Sequence, residues 1–275
     1  MANITAADVN KLRKQTGAGM MDCKKALVEA EGDFEKAIEV LRKKGQKVAA
    51  KRGDREASEG LAIAKSEGGK GVVVVLNCET DFVAKNADFN ALATTIAEVA
   101  LANTPNSIDE LKGLSYAGNG LTVGDKITEQ IGTIGEKIEI SSYDIIESGK
   151  VIAYNHPGNQ IASLVGLSKD GNFDEAGRDV AMQVAAMAPI ALNEEQVPAD
   201  IIDKEIEIGK DLAIQEGKPA DMAEKIARGR LNKFFKENTL VHQAFIKDNK
   251  KNVAQYLKDQ DSELIITDFK RASLS

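Results

Sequence analysis

The side chains best placed for chemistry lie together in Asn77-Cys78-Glu79-Thr80-Asp81-Phe82-Val83-Ala84-Lys85-Asn86. This stretch follows the most strand-like run of the chain, residues 71–76, and precedes a helical pattern over residues 90–100. A strand-to-helix corner leaves backbone N–H groups free and lets side chains reach a partner. Thr80 has the character of an N-cap, and Asp81 falls in the first turn, where the helix dipole favours an anion. Phe82 is one of 8 phenylalanines, beside 4 tyrosines and no tryptophan, so an aromatic ring at a corner stands out. Two uses are open to these residues. They present a carboxylate and a ring to another molecule, or they cap a helix while Phe82 fills the core.

Other chemistry is harder to find. His156 and His242 are the only histidines, and neither has a second ligand at metal-binding spacing. Cys23 and Cys78 are too far apart for a CxxC pair, which favours a reduced, cytosolic state. No Gly-x-Ser-x-Gly and no Walker phosphate loop occurs. Gly17-Ala18-Gly19 is too short for a dinucleotide loop and follows a helical pattern rather than a strand. No acid pairs with a histidine in a readable motif. The expectation is a non-enzyme with no metal and no cofactor, holding no nucleotide itself. His156 sits beside Pro157-Gly158 in a predicted turn, at the surface.

The elements that must carry the corner follow from pattern. At 275 residues the chain has room for a substantial core and two or three domains. A net charge of −7 argues against a surface built for phosphate backbones. Residues 1–8 lack a basic head followed by an apolar stretch, and no apolar run approaches membrane-spanning length. The expected location is the cytoplasm, with no membrane partner.

Residues 1–45 read as three helices. Thr5 caps the first, which carries Val9 and Leu12; Met20 or Met21, Cys23, Ala26 and Leu27 line the second; Phe34, Ala37, Ile38 and Leu41 line the third. Met20 and Met21 are adjacent and cannot both face one core: either one packs inside and one outside, or both are partly buried against the glycine turn. Residues 42–55 are strongly basic, and residues 46–56 are assigned as a linker; without interleaved aromatics, nucleic-acid binding is not expected there. From residue 57 a unit appears twice. Strands at 60–65 and 71–76 precede a helix with Phe89, Leu92 and Ile96; roughly ninety residues later, strands at 149–154 and 161–167 precede a helix with Val180, Met182, Val184 and Ala188. The expected class is α+β: antiparallel sheets with helices on one face, in subdomains 57–140 and 141–275. Short helices at 105–111 and 122–134 and a strand at 136–146 lie between the copies. Residues 198–236 read as an αα-hairpin arm, broken at Gly217-Lys218-Pro219. Residues 239–245 and 252–258 complete the second subdomain, and 262–269 read as its last strand. The second copy has Ser168-Lys169-Asp170-Gly171 where the first has Thr80-Asp81-Phe82. That difference favours a function at the first corner.

Two motifs carry a family resemblance. Thr80-Asp81-Phe82-Val83-Ala84-Lys85-Asn86 and Thr16-Gly17-Ala18-Gly19-Met20-Met21-Asp22-Cys23-Lys24-Lys25-Ala26-Leu27 resemble signatures of the bacterial translation elongation factor Ts family, in its order and spacing. The similarity runs over nearly all of the chain. It implies a guanine-nucleotide exchange factor whose partner is the GTPase elongation factor Tu. It implies that Thr80, Asp81, Phe82 and Val83 approach the partner's nucleotide site and displace its magnesium ion. It also implies that Leu12, Met20 and Met21 dock a ubiquitin-associated-like bundle on the partner, with His156 as a second contact. The arm's sequence departs from the family pattern, which leaves its role open. Two other functions compete: an adaptor module binding ubiquitin-like partners through the bundle, and an RNA-binding protein using the basic stretch.

Overall fold

Val72, Val73, Val74, Val75 and Leu76 are all buried, without the alternation of a half-exposed strand, because their strand is covered on both faces. In the computed structural model, which describes residues 4–117 and 120–274, this strand is β2 (Lys70–Cys78). It is the centre of an antiparallel sheet with β1 (Glu59–Glu67) and β3 (Ile138–Glu147). Val72, Val74 and Leu76 face Phe89, Leu92 and Ile96 of helix α5 (Ala87–Asn103). Val73 and Val75 face Leu164 and Ala162 of a second antiparallel sheet, β4 (Lys150–Asn155), β5 (Ile161–Leu167) and β8 (Ile266–Ser273). On the far side of that sheet, Val165 and Leu167 pack on Val180 and Val184 of helix α8 (Asp174–Met187). The layers run helix, sheet, sheet, helix, and the strand pairs within the sheets are antiparallel, as expected of the α+β class. Each sheet has helices on one face and the other sheet on its second face.

A bulge in the β2–β3 pairing sits between Val75 and Leu76, where the partner steps from Ser142 to Ile140. The extra residue changes which face β3 presents. Ile138 and Ile140 join the α5 core, whereas Ile146, at the same parity, joins the inter-sheet core.

Before the sheets come α1 (Ala6–Thr16), α2 (Met20–Glu29) and α3 (Phe34–Arg52), closed around Val9, Leu12, Cys23, Ala26, Leu27 and Ala37. The basic stretch expected as a connector is helical to Arg52. It lies on α7 (Val123–Ile134), and the two helices cross at glycines: a Cβ on Gly132 would fall 2.7 Å from Gly45 Cα. Between α5 and α7 lies the short α6 (Ile108–Gly113). The arm region forms α9 (Ala199–Gln215) and α10 (Ala220–Asn238), which cross where Gly209 meets Ala227. A two-stranded ribbon of β6 (Ala244–Phe245) and β7 (Asp248–Asn252) and helix α11 (Val253–Gln260) follow.

Three expectations need correction. The last strand begins at Ile266 rather than residue 262, because the Asp261 side chain accepts from Glu263 N–H and holds a turn there. On α8, Met182 is only half-buried and Ala188 is exposed; the inward face uses Val180, Ala181, Gln183 and Val184. Gln183 is accommodated by donating to Gln243 Oε1 and the Ala244 carbonyl and accepting from Ile246 N–H. A separate turn of helix, α4 (Asp81–Ala84), precedes α5, which starts at Ala87 because Asn86 caps it. Residues 1–3, the start of the expected first domain, and residue 275, the end of the last, lie outside the described residues. No helix among the described residues is long and apolar enough to cross a membrane.

Candidate partner-docking corner

β2 ends at Cys78, and the chain turns through Glu79 and Thr80 into α4. Thr80 is extended (φ −129°, ψ 151°) and caps α4, its hydroxyl accepting from Val83 N–H at 3.4 Å. The same hydroxyl donates to Glu136 Oε1 at 2.7 Å. Glu136 Oε2 accepts the backbone N–H groups of Glu79 (3.2 Å) and Thr80 (3.1 Å). Glu79 answers from the other side, its Oε1 accepting Lys137 N–H at 2.7 Å. Arg52, at the end of α3, donates to both Glu79 oxygens at 3.1 and 2.9 Å. Both contacts come from one guanidinium nitrogen, Nη1, a charge-assisted donor shared between the two carboxylate oxygens. Beneath, the Cys78 thiol donates to the Thr80 carbonyl at 3.2 Å. Burial, and then the Glu136 charge, push its pKa up to about 12. It stays a neutral packing group rather than a nucleophile.

This platform carries Phe82, which is 84% exposed. The core-filling alternative for Phe82 is therefore excluded. Ala84 is buried and Val83 half-buried against the α5 core, so the turn is anchored by one face and offers the other. Asp81 pairs with Lys85 at 2.7 Å, and that hydrogen bond holds its carboxyl below the usual range. A ring left in water on a braced turn is available to a partner, and burying it would contribute about 1.5–3 kcal/mol. The corresponding corner of the second sheet differs. There Lys169 pairs with Asp261 and Lys150 with Asp174, while Phe173 packs into the core.

The other expected contact residues lie on different elements. Leu12 is fully buried in the three-helix core, so its side chain does not line an exposed face of the free protein. Met20 and Met21 are 53% and 64% exposed, so neither packs inside. Cys23, Ala26 and Leu27 supply the buried residues of α2, and both methionines lie in its first turn, at the open end of the small core. His156 is exposed in the β4–β5 turn, and Tyr154 Oη lies 3.1 Å from its Nδ1. Four of the seven basic residues of residues 42–55 are engaged by acids: Arg42 with Asp125, Lys43 with Glu39, Lys44 with Asp22 and Arg52 with Glu79. Glu79 lies in the stretch picked out by sequence and Arg52 in the basic run, but neither reads there as a brace, and Glu136 is not singled out at all. Glu136 lies 56 positions from Thr80 and has no local pattern to mark it.

The structure thus defines an α+β protein that presents one aromatic ring on a braced corner. The family model described as "Elongation factor TS" matches residues 79–275, starting at this corner. Proteins named elongation factor Ts are 60% identical in Christiangramia forsetii and 57% in Flavobacterium psychrophilum, each over all of both chains. The one in Porphyromonas gingivalis is 47% identical, over 99% of this chain and 98% of the relative. The chain belongs to the elongation factor Ts family of translation elongation factors.

Proposed function

We propose that this protein is a guanine-nucleotide exchange factor that binds GDP-loaded elongation factor Tu in the cytoplasm and speeds GDP release. It does so without covalent chemistry of its own. The observation that carries this reading is Phe82, almost wholly in solvent on a turn whose backbone is held by Glu136, Glu79 and Arg52. Family membership supplies the partner.

In this reading Thr80, Asp81, Phe82 and Val83 enter the partner beside its nucleotide site. Magnesium needs near-ideal octahedral ligation and bridges the nucleotide phosphates. A ring wedged into the adjacent packing disturbs the residues around the ion, a nearby carboxylate perturbs its ligands, and GDP loosens. Coupling is reciprocal, so a factor that weakens GDP binding is itself weakened by GDP. Incoming nucleotide therefore ejects the factor. Met20 and Met21, both exposed, dock the N-terminal helices, taken as a ubiquitin-associated-like domain. His156, on the second of two related subdomains, makes a further contact. The engagement of Arg42, Lys43, Lys44 and Arg52 by acids counts against the RNA-binding alternative. Stopped-flow release of labelled GDP from purified elongation factor Tu tests the reading. Acceleration that falls in Phe82→Ala supports it, and no acceleration by the wild-type protein overturns it.

A further inference from the structure

The turn that carries Phe82 has little stability of its own. α4 is four residues long, and a single helical turn fixes several dihedrals for one hydrogen bond. The last β2–β3 pair is Cys78 with Ile138, so the N–H groups of Glu79 and Thr80 lie beyond the ladder. Half-buried, they need acceptors from elsewhere. Glu136 supplies them. An ionised carboxylate only accepts, and this one meets three donors: two backbone N–H groups and the Thr80 hydroxyl. Glu136 has no ion pair among the described residues; its charge is directed at the corner. The chain reaches that position because α7 ends at Gly135 in the left-handed region (φ 83°), immediately before Glu136. The exchange is mutual. Glu136 binds the backbone of residues 79 and 80, and Glu79 binds the backbone of Lys137.

We propose that Glu136 is a positioning residue for nucleotide exchange: its carboxylate locks the corner at the angle that presents Phe82. The proposal rests on the exchange reading above. Glu136 does not touch the partner's nucleotide site. Without it the Thr80 cap and the turn fluctuate, and Phe82 enters the partner in the productive pose less often. The loss falls on the rate of release within the complex rather than on affinity, which Met20, Met21 and other contacts maintain.

The test uses the full-length protein with Glu136→Ala, Glu136→Gln, Phe82→Ala and the Glu136→Ala/Phe82→Ala double variant. Amide hydrogen exchange of the free protein reports on the lock, and stopped-flow GDP release from elongation factor Tu reports on its consequence. Glu136→Ala is expected to speed exchange at Glu79, Thr80 and Val83 and to lower the maximal release rate about tenfold, leaving the half-saturating concentration nearly unchanged. Glu136→Gln keeps an oxygen for the two N–H donors and restores most of the rate. In the Phe82→Ala background, Glu136→Ala costs nothing further, because the ring it positions is gone. A merely structural role would give the same fold-loss in both backgrounds, and that result overturns the proposal. So does a fully active Glu136→Ala beside an active wild type, with the exchange reading left standing. A wild-type protein that does not accelerate release overturns both.

Discussion

The Asn155 side chain pairs with the backbone of Ala64 as a further strand would: Oδ1 accepts from Ala64 N–H at 2.7 Å, and Nδ2 donates to the Ala64 carbonyl at 2.9 Å. β1 is the edge of its sheet, and this contact closes it, together with Ala62 N–H donating to the Asn159 carbonyl. An open edge would be a template for pairing with another chain. Asn155→Ala is expected to lose about 1–2 kcal/mol of stability and to raise self-association, since it leaves two backbone groups of β1 unpaired. Denaturant titration and light scattering check this; an unshifted midpoint would contradict it.

Glycine substitutions give a test in which propensity and packing disagree. Alanine is favoured over glycine inside a helix by about 1 kcal/mol. At Gly229, in α10, a Cβ would meet nothing within 4 Å, so Gly229→Ala is expected to stabilise by roughly that amount. At Gly45, in α3, a Cβ would lie 2.6 Å from the Thr128 carbonyl oxygen, which is backbone and cannot step aside. Gly45→Ala should therefore destabilise by about 1–3 kcal/mol despite its better propensity. Melting curves of the two variants must move in opposite directions.

Arg52 connects the end of α3 to the corner. Arg52→Ala is expected to cost about 1–2 kcal/mol, part of the bridge being screened by solvent, and to slow stimulated GDP release by freeing Glu79. Arg52→Lys should rescue most of either effect, because one nitrogen, Nη1, makes both contacts and an ammonium has donors enough for the same two oxygens. Failure of lysine to rescue either effect would contradict this.

Stability should fall at alkaline pH. Burial holds the Cys78 thiol and the Tyr143 phenol protonated to about 12, against ordinary values of 9.0 and 10.0. The Tyr143 hydroxyl has no hydrogen-bond partner among the described residues. The unfolded chain releases these protons first, so the folded state binds more protons above pH 9. The contribution is complete below that pH and declines as pH rises toward about 12. Guanidinium midpoints compared near pH 8 and about pH 10.5 should show a decrease. Cys78→Ser and Tyr143→Phe each remove one group and should flatten the slope.

The elements of the fold were legible where local pattern decides, whereas the packing of one sheet on the other was not. β5 and α7 fall within a residue or so of expectation, because apolar spacing and Thr/Gly caps mark their ends. The Thr80 cap was legible for the same reason, as was the exposed turn at His156. What distance in sequence hides was not legible. Nothing near Glu136 announces that it meets Thr80, and nothing near Arg42 or Arg52 shows that acids at positions 125 and 79 await them. Leu12 illustrates a different limit. Its helical spacing placed it inside, the family pattern placed it at the partner, and in the free protein its side chain is buried. An inward place for Met20 or Met21 failed because the small core draws on Cys23, Ala26 and Leu27 of α2 instead.

The most direct measurement is the maximal rate of GDP release from elongation factor Tu with wild-type protein and with Phe82→Ala, at low and at excess magnesium. Phe82 packs on nothing the fold needs, so the variant should melt as the wild type does. Its maximal rate should fall at least tenfold, by the loss of about 1.4 kcal/mol or more of transition-state stabilisation. Excess magnesium should inhibit the wild-type protein if ejection of the ion is the step that loosens GDP. A folded Phe82→Ala protein with wild-type exchange would contradict the role of the ring.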